Sequence, residues 1–244
     1  MKRLLLCLLV VIFAVYGCSA FGTKEEKTAA QLATEGREEY ADGDYKSAIE
    51  AYEKLKDWYP FSAFAKEAEL KVADAHYHLE EYEQAIAAYE QFERLHPNDE
   101  KIPYVVYQIA RCYFDRMKGL DRDQTNTEKA LQVFRRLQSR FPESEYAEKT
   151  EKRIQQCLKT LAGHEFYVGE FYFKQEHYKA ALNRFYNVIN NYPAEFTLLN
   201  HEAQQYIELC RNRLNAQSKK SEDKTAGSET QKKWIPTPGP PNSR

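Results

Sequence analysis

The sequence has little that would interrupt a helix. It carries nine glycines and nine prolines in 244 residues, and these sit mostly at turn positions and near the C-terminal end, leaving long uninterrupted intervals. No run of alternating β-branched residues appears, so nothing argues for strands. Charge of one sign is absent too. The formal net charge is −2 with acid and base interspersed, and no basic stripe of the kind that binds nucleic acid is present. Gly-rich phosphate loops, nucleophile elbows and metalloprotease motifs are missing. His76 and His78, two apart on a helix, point about 200° apart and cannot share a metal. His96, His164, His177 and His201 stand alone. The sequence therefore reads as a non-enzyme, with no cofactor and no metal.

Long apolar runs are also scarce. The one at the start, Leu4 to Val15, follows Lys2 and Arg3, and it has the charge and length of a signal peptide. It is short for a spanning helix, which needs roughly 20 apolar residues. The segment ends Val15-Tyr16-Gly17-Cys18 and resembles a bacterial lipobox, although Tyr16 departs from the usual small residue. That resemblance implies cleavage after residue 17, acylation of Cys18 and, because Ser19 follows, delivery to the outer membrane. Several acyl chains on one residue anchor stably where one chain holds only marginally. Residues 18–27 read as a polar tether. Cys112, Cys157 and Cys210 remain, with no metal-pair spacing, and read as small buried hydrophobes.

What is present is a repeat. Tyr45, Ala48, Tyr52 and Leu55 recur at helical steps and Pro60 stops the helix. Tyr82, Ala85, Tyr89, Phe92 and Pro97 each follow 37 residues later. The frame returns as Ala130, Phe134, Leu137, Pro142 and as Tyr178, Ala181, Phe185, Val188, Pro193. Four such copies match the tetratricopeptide pattern of paired helices, whose period is about 34 residues. The expected fold is all-α: a tetratricopeptide-repeat solenoid over residues 28–216, with four clear repeats plus a C-terminal capping helix or degenerate fifth repeat.

Thr28 to Ala41 reads as the first helix, closed by Asp42-Gly43. Lys46 to Tyr59, Ala63 to Leu79, Tyr82 to Leu95 and Ile102 to Met117 follow. The third repeat carries extra residues within Met117 to Asn126, read as a surface loop that is either a contact segment or a neutral insertion. No turn cluster divides Ser144 to Lys174, which predicts one helix of about 45 Å at 1.5 Å per residue. Gly163 and Gly169 weaken it by up to about 1 kcal/mol each, with Gly163 a candidate kink. A helix this long is expected to overrun its partner and leave a docking face uncovered. Phe196 to Ala216 reads as the cap. Residues 217–244 turn polar and Pro-rich and read as a disordered tail, with Trp234-Ile235 a candidate recognition motif within it.

Helical repeats display a concave groove lined by first helices. The register places Arg37 and Tyr40, then Asp74, Tyr77 and His78, then Val106, Ala110 and Phe114 on that lining. Arg37 would hold a peptide's terminus or backbone. The aromatics serve either as ligand contacts or as packing between helices.

Irregular segments narrow the reading. Cys18 with its lipobox, Trp58-Tyr59-Pro60-Phe61, Ile102-Pro103-Tyr104-Val105-Val106-Tyr107 and Leu120-Asp121-Arg122-Asp123 resemble the BamD family. These are the tetratricopeptide lipoproteins of the outer-membrane β-barrel assembly machinery. His164 to Tyr172 and Ala181-Leu182-Asn183-Arg184 extend the resemblance, which covers about Cys18 to Leu214. It implies two partners besides the lipid-anchored outer membrane. One is the periplasmic domain of the barrel-forming assembly subunit, bound by the C-terminal repeats. The other is unfolded outer-membrane protein, received by the N-terminal repeats. Asn183 and Arg184, just off the buried stripe of their helix, are the expected partner contacts. A scaffold for peptidoglycan or envelope maintenance is the alternative.

Overall fold

The computed structural model describes residues 26–232, with side chains described to Ser221. Cys18, its lipobox and Trp234 lie outside the described residues. The described chain contains helices and turns and forms two compact units, one ending at Leu79 and one beginning at Glu80.

The first unit holds α1 (Ala29–Asp42), α2 (Tyr45–Trp58) and α3 (Ala65–His78). Thr28 caps α1: its hydroxyl accepts from the Gln31 amide at 3.3 Å, and the Gln31 side chain accepts from the Thr28 amide at 2.8 Å. This reciprocal box satisfies two orphan donors of the first turn. Gly43, at φ 82°, closes the helix in the left-handed conformation, and Asp44 restarts the chain by accepting from the Ser47 amide at 3.1 Å. α2 then lays Ala48, Tyr52 and Leu55 against Leu32 and Ala33 of α1 and Ala68 and Val72 of α3. Gly36 lets α1 approach, since a Cβ there would stand 2.6 Å from the Tyr52 ring.

The second unit holds α4 (Tyr82–Leu95), α5 (Ile102–Asp115), α6 (Thr125–Arg140), α7 (Glu145–Lys174), α8 (Tyr178–Asn191) and α9 (Thr197–Lys232). Each packs on the next in chain order. The turns into α4 and α8 repeat the turn at Gly43 with a different residue. Glu80 and Glu176 both take φ 59°, each two residues before the leading tyrosine of its second helix, as Gly43 is before Tyr45. Glu93 of α4, largely buried, accepts from Arg136 at 3.1–3.2 Å and from Arg140 at 2.8 Å on α6.

α7 is unbroken through Gly163 and is 30 residues long. One side of α7 is covered along its length, while Gln156, Lys159, Thr160 and Gly163 line an open groove. Its first half buries Ile154, Cys157, Leu158 and Leu161 with Ala110, Ala130 and Phe134. Its second half sends Phe166, Tyr172 and Phe173 into a separate cluster with Phe185, Ala203 and Ile207. One helix thus serves two successive helix pairs, which is why no turn divides it. Only scattered apolar groups, Tyr167 and Phe171, face water.

The α5–α6 segment is ordered by its own side chains. Gln124, buried, donates to the carbonyls of Gly119 and Arg122 at 2.9 Å each and accepts from the Thr127 hydroxyl at 2.8 Å. At the other end, α9 continues to Lys232, past the boundary at Ala216 that composition suggests. The polar residues there are mostly adequate helix formers, and the first proline comes only at Pro236.

Candidate functional site

The groove residues read from the sequence divide between the two units. In the first, Arg37 and Tyr40 of α1 face Glu67, Lys71, Asp74 and His78 of α3, whose spacing of four, three and four is one helical stripe. Arg37 is paired two-pronged with Glu67, Nε to Oε1 at 2.8 Å and Nη2 to Oε2 at 2.6 Å, and lies over the Phe64 ring. The hydrogen bond to Glu67 raises the guanidinium pKa further. Its fork is paired within the chain, on a side chain that is still 45% exposed.

Tyr40 is half-buried, with the Lys71 ammonium 4.3 Å from its ring centroid and Tyr45 and His78 edge-on at 5.2 and 5.8 Å. Burial, with the Asp74 charge second, pushes its hydroxyl pKa well above the ordinary value. Asp74 is only 5% exposed and lies 3.5 Å from Lys71 Nζ. Tyr77 meets His78 edge-on at 5.9 Å, and His78 stacks on Tyr45 at 4.6 Å. The structure therefore gathers Arg37, Tyr40, Asp74 and Tyr77 on two adjoining first helices, as a ladder of mutually satisfied groups.

In the second unit Val106 and Ala110 are fully buried and cannot line a groove. A helix offers each face to one environment, and theirs packs into the core between α5 and its neighbours. Phe114 is half-buried, edge-on to Phe134 at 5.9 Å with the Arg153 guanidinium 4.8 Å from its centroid. Around it lies a surface the sequence reading missed. Tyr107 meets Tyr146 at 5.3 Å, Tyr104 meets Tyr146 at 5.7 Å, and Arg111 and Arg153 each stand 5.9 Å from the Tyr107 ring. The signal for Arg111 was available: Arg37, Asp74 and Arg111 follow the 37-residue period. Two guanidinium groups and three tyrosine rings thus lie together on one face of α5 and α7.

Asn183 is exposed on α8. Arg184, over a third exposed, is paired within the chain: its Nη1 donates to Glu165 Oε1 of α7 at 2.8 Å and Asn187 donates to the other oxygen at 3.1 Å. The three cysteines are free thiols and buried. Burial pushes Cys112 and Cys157 each up to about 12 and raises Cys210, so they are poor nucleophiles. Among the described residues no cluster of acidic, His and Cys side chains could hold a metal, and no helix is long and apolar enough to cross a membrane.

The helices, paired and packed in chain order among the described residues, define an all-α tetratricopeptide-repeat protein. The YfiO family profile, described as outer membrane lipoprotein, matches residues 25–224. The chain belongs to that family. Relatives named outer membrane protein assembly factor BamD include that of Neisseria gonorrhoeae, 29% identical over 232 residues and covering 88% of this chain and 86% of the relative. That of Rickettsia prowazekii is 30% identical over 198 residues, covering 80% and 79%. Among solved structures, the TPR2AB domain of yeast Sti1 in a pHSP90 complex aligns over 76% of this chain and 70% of its own, at 17% identity and a TM-score of 0.43.

Proposed function

We propose that the protein is an outer-membrane protein assembly factor, acylated at Cys18 and held at the periplasmic face of the outer membrane. In this reading its repeats bind the periplasmic domain of a barrel-forming assembly subunit and receive unfolded outer-membrane proteins. The observation that carries it is the family match across residues 25–224, with relatives of almost the same length that bear this name. The two-cation, three-tyrosine face of α5 and α7 is the candidate peptide surface, joined by Phe114 at its edge. Asn183 and the exposed part of α8 are the candidate subunit contact. Tethering both events to one membrane raises their effective concentration without any new contact.

Purified full-length protein, reconstituted in detergent, is mixed with the periplasmic domain of the barrel-forming subunit, and binding is measured by calorimetry. Binding is expected, together with an intact mass showing a triacylated N-terminal Cys18. An unmodified mature N-terminus elsewhere overturns the anchor, and absence of binding overturns the assembly role.

A further inference from the structure

Two large apolar side chains stand in water at the α2–α3 turn. Phe61 is fully exposed, at 100%, and Trp58 is 52% exposed. They belong to an uncharged stretch from Trp58 to Ala65. The turn that presents them is firmly bonded: the Tyr59 amide donates to Leu55 O at 2.8 Å, the Ser62 amide to Tyr59 O at 3.0 Å and the Ala65 amide to Ser62 O at 3.1 Å. A lone exposed apolar residue is ordinary. Two bulky rings on one fixed turn call for a partner.

The position of the turn indicates which partner. The Tyr59 hydroxyl donates to the carbonyl of Lys27 at 3.0 Å, so the turn lies beside the place where the chain comes into the domain from its N-terminal side. Cys18 precedes Lys27 by nine residues, a reach of at most about 30 Å fully extended. Among the described residues nothing walls Phe61, as a pocket for a peptide side chain would. A ring with no surrounding groove suits a broad, deformable apolar surface. Tryptophan in particular favours the headgroup level of a bilayer, where its ring is buried and its N–H stays wet.

We propose that Trp58 and Phe61 form a membrane-contacting knuckle that enters the interfacial layer of the leaflet holding the Cys18 acyl chains. This rests on the acylation proposed above. The tether supplies local concentration and the knuckle supplies orientation, fixing which side of the first unit meets the lipid.

The test uses full-length acylated protein carrying Trp234→Phe, which leaves Trp58 as its one tryptophan. It is reconstituted into phosphatidylethanolamine–phosphatidylglycerol vesicles with or without brominated acyl chains. The protein is expected to float with the vesicles, with Trp58 emission blue-shifted and quenched by bromine. Phe61→Ser should weaken that quenching, because the turn then enters the interface with one ring instead of two. A companion chain adding Trp58→Phe and Lys46→Trp moves the probe about 18 Å up α2 and should not be quenched. Failure to float overturns the anchor and the knuckle with it. Flotation with unquenched Trp58, or equal quenching of the Lys46→Trp probe, overturns the knuckle alone. Emission that ignores lipid but shifts on adding an unfolded outer-membrane polypeptide makes the turn a peptide site and also overturns it.

Discussion

His164 Nδ1 donates to the carbonyl oxygen of Leu120 at 2.7 Å; the carbonyl can only accept, so the ring carries its proton on that nitrogen. The bond ties the middle of α7 to the tip of the α5–α6 loop, 44 positions away in sequence. Beside it the Leu120 side chain lies over Gly163, where an added Cβ would meet it at 3.1 Å. Leu120 also lines an open groove of about 830 Å³ with Thr160, Phe196 and Leu198. An insertion that looks like a free surface loop is thus clasped to the long helix.

Replacing His164 by alanine should loosen that clasp without unfolding the unit. Global stability should fall by about 1 kcal/mol, the net worth of one hydrogen bond. Amide exchange across residues 117–124 should accelerate. Unchanged protection there would show that Gln124 and the packing of Leu120 hold the loop without His164.

Gly36 and Gly169 each stand 16 residues before the large ring of the following helix, Tyr52 and Phe185. A Cβ would sit 2.6 Å from Tyr52 and 2.8 Å from Phe185, both rings being buried. Helix propensity alone favours alanine over glycine by about 1 kcal/mol. Overpacking costs about 1–3 kcal/mol and should win at both sites. At Gly163 the neighbour is the partly exposed end of Leu120, which can swing aside, so Gly163→Ala should be close to neutral. Urea midpoints of the three variants check the order.

Glu176 holds φ 59°, a conformation costing an L-residue roughly 1–2 kcal/mol. Glycine removes that strain and loses back roughly 0.5–1 kcal/mol to unfolded-chain entropy. Glu176→Gly should therefore raise the melting temperature slightly, and a fall would mean the Glu side chain makes a compensating contact.

Arg184 and Glu165 should be coupled. Arg184→Glu sets two carboxylates together beside Asn187. With Arg184 over a third exposed, solvent screens the lost pair, and a loss of about 1 kcal/mol is expected. The swap Arg184→Glu with Glu165→Arg should recover most of it in a double-mutant cycle. Any loss of subunit binding by Arg184→Glu must be compared with this swap, because the single variant also disturbs the α7–α8 contact.

Much of the molecule was legible in the chain itself. The recurrence of Ala48, Tyr52, Leu55 and Pro60 at 37 residues gave helix type, helix ends and the buried stripe, because small-against-large packing at a fixed period leaves few other solutions. Ala48, Ala85, Ala130 and Ala181 are all fully buried as that register requires. The irregular segments Trp58–Phe61, Leu120–Asp123 and His164–Tyr172 carried the family resemblance.

Tertiary structure decided what those residues are free to do. A charged side chain on an exposed helix face looks available in sequence, since its partner comes from another helix: Arg37 finds Glu67, and Arg184 finds Glu165, 19 positions earlier. Val106 and Ala110 look like lining but are core, because α5 packs against neighbours on more than one side. The length of α7 was readable, yet only packing could show that its two halves serve two different clusters. Local periodicity fixes which way a side chain points along its own helix. What it points at depends on contacts between residues far apart in the chain, and these form only when the helices assemble.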